Sequence, residues 1–132
     1  MSPRSDRSAL ALAGVMALAG VMHFVAPQFY RPMIPEQLGA PDPWVYGSGV
    51  AEIALAAAVA VPRTRRWGAY GMAALFVAVF PGNVQMAVDA WDSGGTERAL
   101  TLARLPLQIP LVIWALRVAR RAGQPAGADS TR

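Results

Sequence analysis

The sequence predicts an all-α integral membrane protein: a four-helix transmembrane bundle forming one domain over residues 1–121, with both termini in the cytoplasm. Three observations carry this expectation. Hydrophobic residues make up 55% of the 132-residue chain and charged residues only 15%, against ~25% charged in soluble domains. The apolar residues gather into four runs, at 9–26, 44–61, 67–88 and 99–118. As helices these runs reach ~27–33 Å at ~1.5 Å per residue, enough for a hydrocarbon core of ~30 Å. Helix is the open-ended backbone solution at that depth, because lipid cannot satisfy unpaired peptide groups.

The first run, 9–26, holds no formally charged residue and one polar member, His23. Arg4 and Arg7 precede it in the manner of a signal peptide, with Ala17-Leu18-Ala19 as a conceivable cleavage site. Cutting there would leave too short an apolar region, and the run continues to Ala26, so a retained span is expected. The connection 27–43 carries Pro27, Pro32, Pro35, Pro41 and Pro43, which prevent a long helix. Its Phe29, Tyr30, Met33, Ile34 and Leu38 suit the headgroup layer, so a Pro-rich cap on the outer surface is expected. The second span is interrupted by Ser48 and Glu52, the third by Asn83 and Gln85, and the fourth by Arg104, Gln108 and Arg117. Residues 122–132 are rich in Gly, Pro and Ala and lack large apolar side chains, the composition of a disordered tail.

Charge placement sets the direction. Arg4 and Arg7 flank the first span, Arg63, Arg65 and Arg66 fill the second connection, and Arg117, Arg120 and Arg121 end the fourth span. The first and third connections carry Arg31 and Arg98 against Glu36, Asp42, Asp89, Asp92 and Glu97. Arg is retained on the cytoplasmic side of membranes, so these two connections are expected outside, in a multi-pass protein of the cell membrane. All twelve basic residues are Arg and none forms a long run, so the net charge of +4 encodes topology rather than a nucleic-acid surface. Cysteine is absent, which excludes disulfides, thiol relays and thiolate metal sites.

The polar residues of the spans lie at similar depth. Counting from the outer boundary at ~1.5 Å per residue, Glu52 lies ~12 Å deep, Asn83 and Arg104 ~7–8 Å, and His23 ~4–5 Å. The other half of each span is nearly pure Ala, Val, Leu and Gly. Ser48 shares a helix face with Glu52, and Arg104 with Gln108. Met16, Gly20 and His23 fall on one stripe. A charge at mid-membrane costs at least ~2.5–3.5 kcal/mol, so such groups turn inward and pair. The economical arrangement is Glu52 opposite Arg104, with His23, Asn83 and Gln108 completing one hydrogen-bonded network; Ser48, on the face of Glu52, joins them as the sixth residue. These six residues form the candidate ligand pocket. Each also fits a structural role: an ion pair for Glu52 and Arg104, interhelical hydrogen bonds for His23, Asn83 and Gln108. A metal site is not expected, with a single His and with methionines scattered as packing residues. Gly47 and Gly49 suit close helix contact, and Pro81, Pro106 and Pro110 suit kinks that widen the outer half of the bundle.

His23-Phe24, Pro27, Phe29 and Ile34-Pro35, followed by Ser48-Gly49-Val50-Ala51-Glu52, resemble the DoxX family of small membrane proteins. Residues 79–86 (VFPGNVQM) and 104–108 (RLPLQ) are similar to its DoxX-like branch. The resemblance covers residues 10–118 and implies a four-helix membrane bundle. It also implies an association with membrane oxidoreduction, since related subunits take part in thiosulfate:quinone oxidoreduction or in membrane complexes with superoxide dismutase and a sulfurtransferase. It supplies no catalytic motif to carry over.

The favoured expectation is therefore a quinone- or lipid-binding subunit that supports a membrane oxidoreductase complex. Quinone would be a bound ligand rather than an intrinsic cofactor, and electrons would come from partner subunits, membrane or soluble, because no haem, iron–sulfur or nucleotide motif is present. Two alternatives stand beside it: a non-redox lipid or small-molecule binder or isomerase, and a structural assembly or anchor subunit. The small residues on the helix faces are compatible with a homo-oligomer. A channel is not expected, because half of each span offers no polar lining.

Overall fold

A computed structural model describes residues 3–124. Among them, four long helices account for most of the chain and no strand occurs. They are α1 (Pro3–Val25), α2 (Pro41–Ala60), α3 (Arg65–Asp89) and α4 (Gly95–Ala122). All four are long and apolar enough to cross a membrane. The helices outrun the apolar runs at most ends because polar first and last turns are helical too: α1 begins at Pro3 and α4 at Gly95. The expected tail at 122–132 starts later than its composition suggested, since Ala122 closes α4; 125–132 lie outside the described residues.

The helices run up and down around the bundle, α1 against α2, α2 against α3 and α3 against α4, with a thinner seam between α4 and α1. Helices α2 and α4 thus stand diagonally across it. One end carries the 26–40 connection and is called here the cap end. The other carries the tight 61–64 connection and the first and last described residues, and is called the turn end.

The prolines of the connection shape the cap. Three single 3₁₀ turns, Pro27–Phe29, Arg31–Met33 and Glu36–Leu38, replace the helix that those prolines forbid. The cap is tied to α2 by Arg31 Nε, which donates to Asp42 Oδ1 at 2.6 Å, and by Trp44 Nε1, which donates to the Leu38 carbonyl at 3.0 Å. Its Met33 carbonyl lies so close to α3 that a Cβ at Gly82 would sit 2.8 Å from it.

The apolar core fills the turn end. Leu12, Met16, Val59, Met72, Phe76 and Val118 are buried there among alanines, while Leu10, Leu18, Val50, Val77 and Ile109 face outward. A helix apolar on both its inner and outer faces is what lipid surroundings require. Arg65 closes this end. Its side chain is 4% exposed; Nε donates to the Val59 carbonyl at 2.9 Å, Nη2 to the Ala60 carbonyl at 3.1 Å and Nη1 to Asp6 at 2.6 Å. The guanidinium thereby covers the open carbonyls of the last turn of α2, where a cation also complements the helix dipole. Trp114 Nε1 adds a 2.9 Å bond to Ser8, joining α4 to α1.

Glycines set the crossing of α1 and α2. A Cβ at Gly20 would stand 2.9 Å from the Gly49 carbonyl oxygen and 3.1 Å from Glu52 Cβ; one at Gly49 would stand 2.7 Å from His23 Cβ and 3.0 Å from the Gly20 carbonyl oxygen. Each glycine lies opposite the other helix's large polar residue. Gly14 and Gly47, by contrast, face open space. Replacing Gly49 with Val should destabilise the protein by ~1–3 kcal/mol through overpacking, and Gly47→Ala should leave it within ~0.5 kcal/mol. Thermal unfolding in detergent checks both, and equal effects at the two glycines would contradict the crossing described.

Candidate functional site

Above the apolar core the bundle opens into a cavity of about 470 Å³. Small-molecule sites span ~300–1,000 Å³, so the space suits one compact ligand. Most of the wall is apolar, supplied by residues such as Val15, Ala19, Phe76, Leu107 and Leu111. His23, Ser48, Glu52, Asn83, Arg104 and Gln108 all lie on this wall, so every helix contributes a polar group. The cap forms the roof through Tyr30, Met33 and Ile34, with Trp44 at the rim.

The pairing differs from the economical one drawn from the sequence. Glu52 and Arg104 form no ion pair: they share the cavity but stand on the diagonal helices α2 and α4. Glu52 lies instead beside His23, with Nδ1 3.5 Å from Oε2, because the glycine crossing brings α1, not α4, against α2. Arg104 is exposed and directs Nη1 to the Met86 sulfur at 3.7 Å, along its neighbour α3.

The single network expected also divides in two. In one part, Asn83 Nδ2 donates to Gln108 Oε1 at 3.0 Å, and Gln108 Nε2 donates to the Phe76 carbonyl. Both side chains are buried, 8% exposed each. Phe76 lies beside Val77, whose carbonyl would accept from residue 81; that residue is Pro81, which has no N–H. The α3–α4 tie therefore sits where α3 is weakest, and α3 and α4 run on through Pro81, Pro106 and Pro110 without a break. In the other part, His23 Nδ1 donates to the Ala19 carbonyl at 2.9 Å, one turn back on its own helix. That leaves Glu52, a residue of the cavity wall, with its buried Oε2 without a hydrogen-bond partner. Gln85, given no role from the sequence, donates to Asp89 at 2.8 Å on its own helix.

Tyr30 is the site residue that the sequence did not single out. Its ring stacks on His23 with centroids 3.7 Å apart and planes at 23°. Partial burial and, next, the facing Glu52 carboxylate raise its hydroxyl pKa above the ordinary value, with Arg104 opposing. Tyr30 therefore lies within the electrostatic reach of both charged residues of the cavity. An aromatic residue in a proline-rich connection reads from sequence as a headgroup anchor; only the fold of the cap turns it onto the imidazole. No group of three His, Asp or Glu side chains able to hold a metal occurs among the described residues.

A family described as a domain of unknown function, DUF8561, matches residues 12–119, from the turn-end core of α1 to the last turns of α4. No curated protein and no solved structure matches the chain.

The Asn83–Gln108–Phe76 relay makes a quantitative demand. Interhelical hydrogen bonds in membranes couple by ~0.6 kcal/mol on average and up to ~1.7 kcal/mol, so a double-mutant cycle of Asn83→Leu and Gln108→Leu should give coupling in that range. Gln108→Leu alone should cost more than Asn83→Leu, since it also uncovers the Phe76 carbonyl. Denaturant unfolding in mixed micelles measures this, and strictly additive effects would contradict the relay.

Proposed function

Taking as its premise that the chain belongs to the DUF8561 family, a domain of unknown function, we propose that it is an integral membrane protein whose cavity binds a quinone or a lipid-like amphiphile. One observation carries this reading: polar groups from all four helices and the cap meet on one wall above an apolar floor. A ligand with a polar head and a hydrocarbon body matches both parts of such a cavity.

The orientation proposed is cytoplasmic for the turn end. Arg4, Arg7, Arg63, Arg66, Arg120 and Arg121 lie there, as retention of Arg on the cytoplasmic side requires. The cap and the cavity then belong to the extracytoplasmic half of the membrane. A ligand would enter from the outer leaflet or the external medium.

The role in a membrane oxidoreductase complex rests on the resemblance of 23–52, 79–86 and 104–108 to DoxX proteins. Within such a complex this chain would bind and position a quinone, and electrons would pass through a partner subunit. Arg104 on the cavity wall offers a donor to a quinone carbonyl. Asn83 and Gln108 serve less well for this than their sequence positions suggest, because Asn83 already donates to Gln108 and Gln108 to the Phe76 carbonyl.

The test is titration of the purified protein in lipid nanodiscs with short-tailed ubiquinone and menaquinone analogues. Saturable quenching of tryptophan fluorescence is expected, carried by Trp44 at the rim and largely lost in Trp44→Phe. Melting temperature should rise with ligand concentration, as it must when only the folded state binds. Unchanged fluorescence and melting temperature across the titration would defeat the quinone form of the proposal. Fusion reporters at the C-terminus and within 36–39 should report opposite sides of the membrane.

A further inference from the structure

The buried carboxylate of α2 narrows what the cavity takes. Glu52 is 8% exposed, and its Oε2 has no hydrogen-bond partner. Three donors of the cavity wall are committed elsewhere: His23 Nδ1 to Ala19, Asn83 Nδ2 to Gln108 and Gln108 Nε2 to Phe76. The 3.5 Å separation from His23 is too long for a good hydrogen bond. An oxygen left this way, away from water, is costly unless something in the cavity donates to it. Arg104 does not reach it, being held along α3 toward Met86.

We propose that the ligand carries a hydroxyl group that donates to the Glu52 carboxylate, so that the preferred occupant is an amphiphilic alcohol or phenol with its polar end at the His23–Glu52 pair. This rests on the binding reading above and narrows it. An ester, ketone or quinone head offers acceptors only and leaves Oε2 unmatched. An ammonium head would bring a second cation into a cavity that already holds Arg104. A hydroxyl satisfies the carboxylate without added charge, and its oxygen remains free to accept from a neighbouring donor. The hydrocarbon part then lies along Val15, Ala19, Phe76, Leu107 and Leu111.

The test uses two probes that differ only in the donor, dodecan-2-ol and dodecan-2-one, titrated into the full-length protein in nanodiscs. Tryptophan emission and melting temperature are the readouts. Wild type should bind the alcohol about tenfold more tightly than the ketone, the effect of one additional hydrogen bond. In Glu52→Gln the preference should vanish or invert, because the new amide donates to the ketone. Circular dichroism confirms folding; should the variant not fold, the alcohol-to-ketone ratio of the wild type decides alone. Equal or tighter binding of the ketone by wild type, or an alcohol preference unchanged in Glu52→Gln, overturns the proposal. Binding of the quinones without binding of the alcohol overturns it while the broader reading stands. If neither the alcohol, the ketone nor the quinones bind, the broader reading falls with it.

Discussion

The close crossing of α1 and α2 governs the rest of the molecule. Within lipid, helices gain little from burying apolar surface against one another, so association depends on packing and on how near two backbones can come. Gly20 and Gly49 bring these two to the point where a Cβ on either would overlap the other helix. The same two positions decide the chemistry, because each glycine gives room to the polar side chain across from it. His23 fits over Gly49, Glu52 over Gly20, and the imidazole and carboxylate become neighbours as a result. With α1 and α2 fixed in this way, α4 is left diagonal to α2, and the space between them becomes the cavity.

The two ends of the bundle solve the problem of polar groups in opposite ways. At the turn end, Arg65 is sunk among three helices, with donors spent on two terminal carbonyls of α2 and on Asp6 of α1. Burial of a cation is tolerable there because attraction to Asp6 and hydrogen bonds of good geometry offset the cost of desolvation. At the cap end the bundle does not close on itself. A chain of 3₁₀ turns covers the opening, held by Arg31–Asp42, by Trp44 on Leu38 and by Tyr30 on His23. One end is therefore a solid plug and the other a roofed space.

Much of this was legible in the amino-acid sequence, for specific reasons. Four apolar runs of membrane-spanning length gave four helices, since length and hydropathy are properties of single segments. The depth of His23, Glu52, Asn83, Arg104 and Gln108 followed from counting along each run, and the six polar residues do line one cavity. Pairing did not follow, because it depends on the order of helices around the bundle and on how near each pair approaches. Charge complementarity favoured Glu52 with Arg104; packing gave Glu52 to His23 and turned Arg104 toward α3. Arg65 shows the same limit: counted from sequence as one of three topology-setting arginines, it is in fact the buried clasp of the turn end. Tyr30 was invisible for a further reason, since the direction of a side chain in a proline-rich connection is set by turns with no periodic signature.

Accounting for donors and acceptors separates what holds the bundle together from what faces a ligand. A polar side chain in a membrane helix must be satisfied by another helix, by its own backbone, by water or by a guest. Asn83 and Gln108 meet the first condition, Asn83 by donating to Gln108 and Gln108 by donating to the Phe76 carbonyl next to the Pro81 gap. They belong to the frame, and their place on the cavity wall is secondary to it. His23 meets the second condition through Ala19 and then serves as a flat support for Tyr30. Glu52 meets neither of the first two at Oε2. A residue kept for cohesion alone would be served as well by the Asn83–Gln108 type of pairing, which commits a donor of each amide. The unmatched acceptor thus belongs to a residue of the cavity wall, beside the glycine crossing and between the roof and the apolar floor.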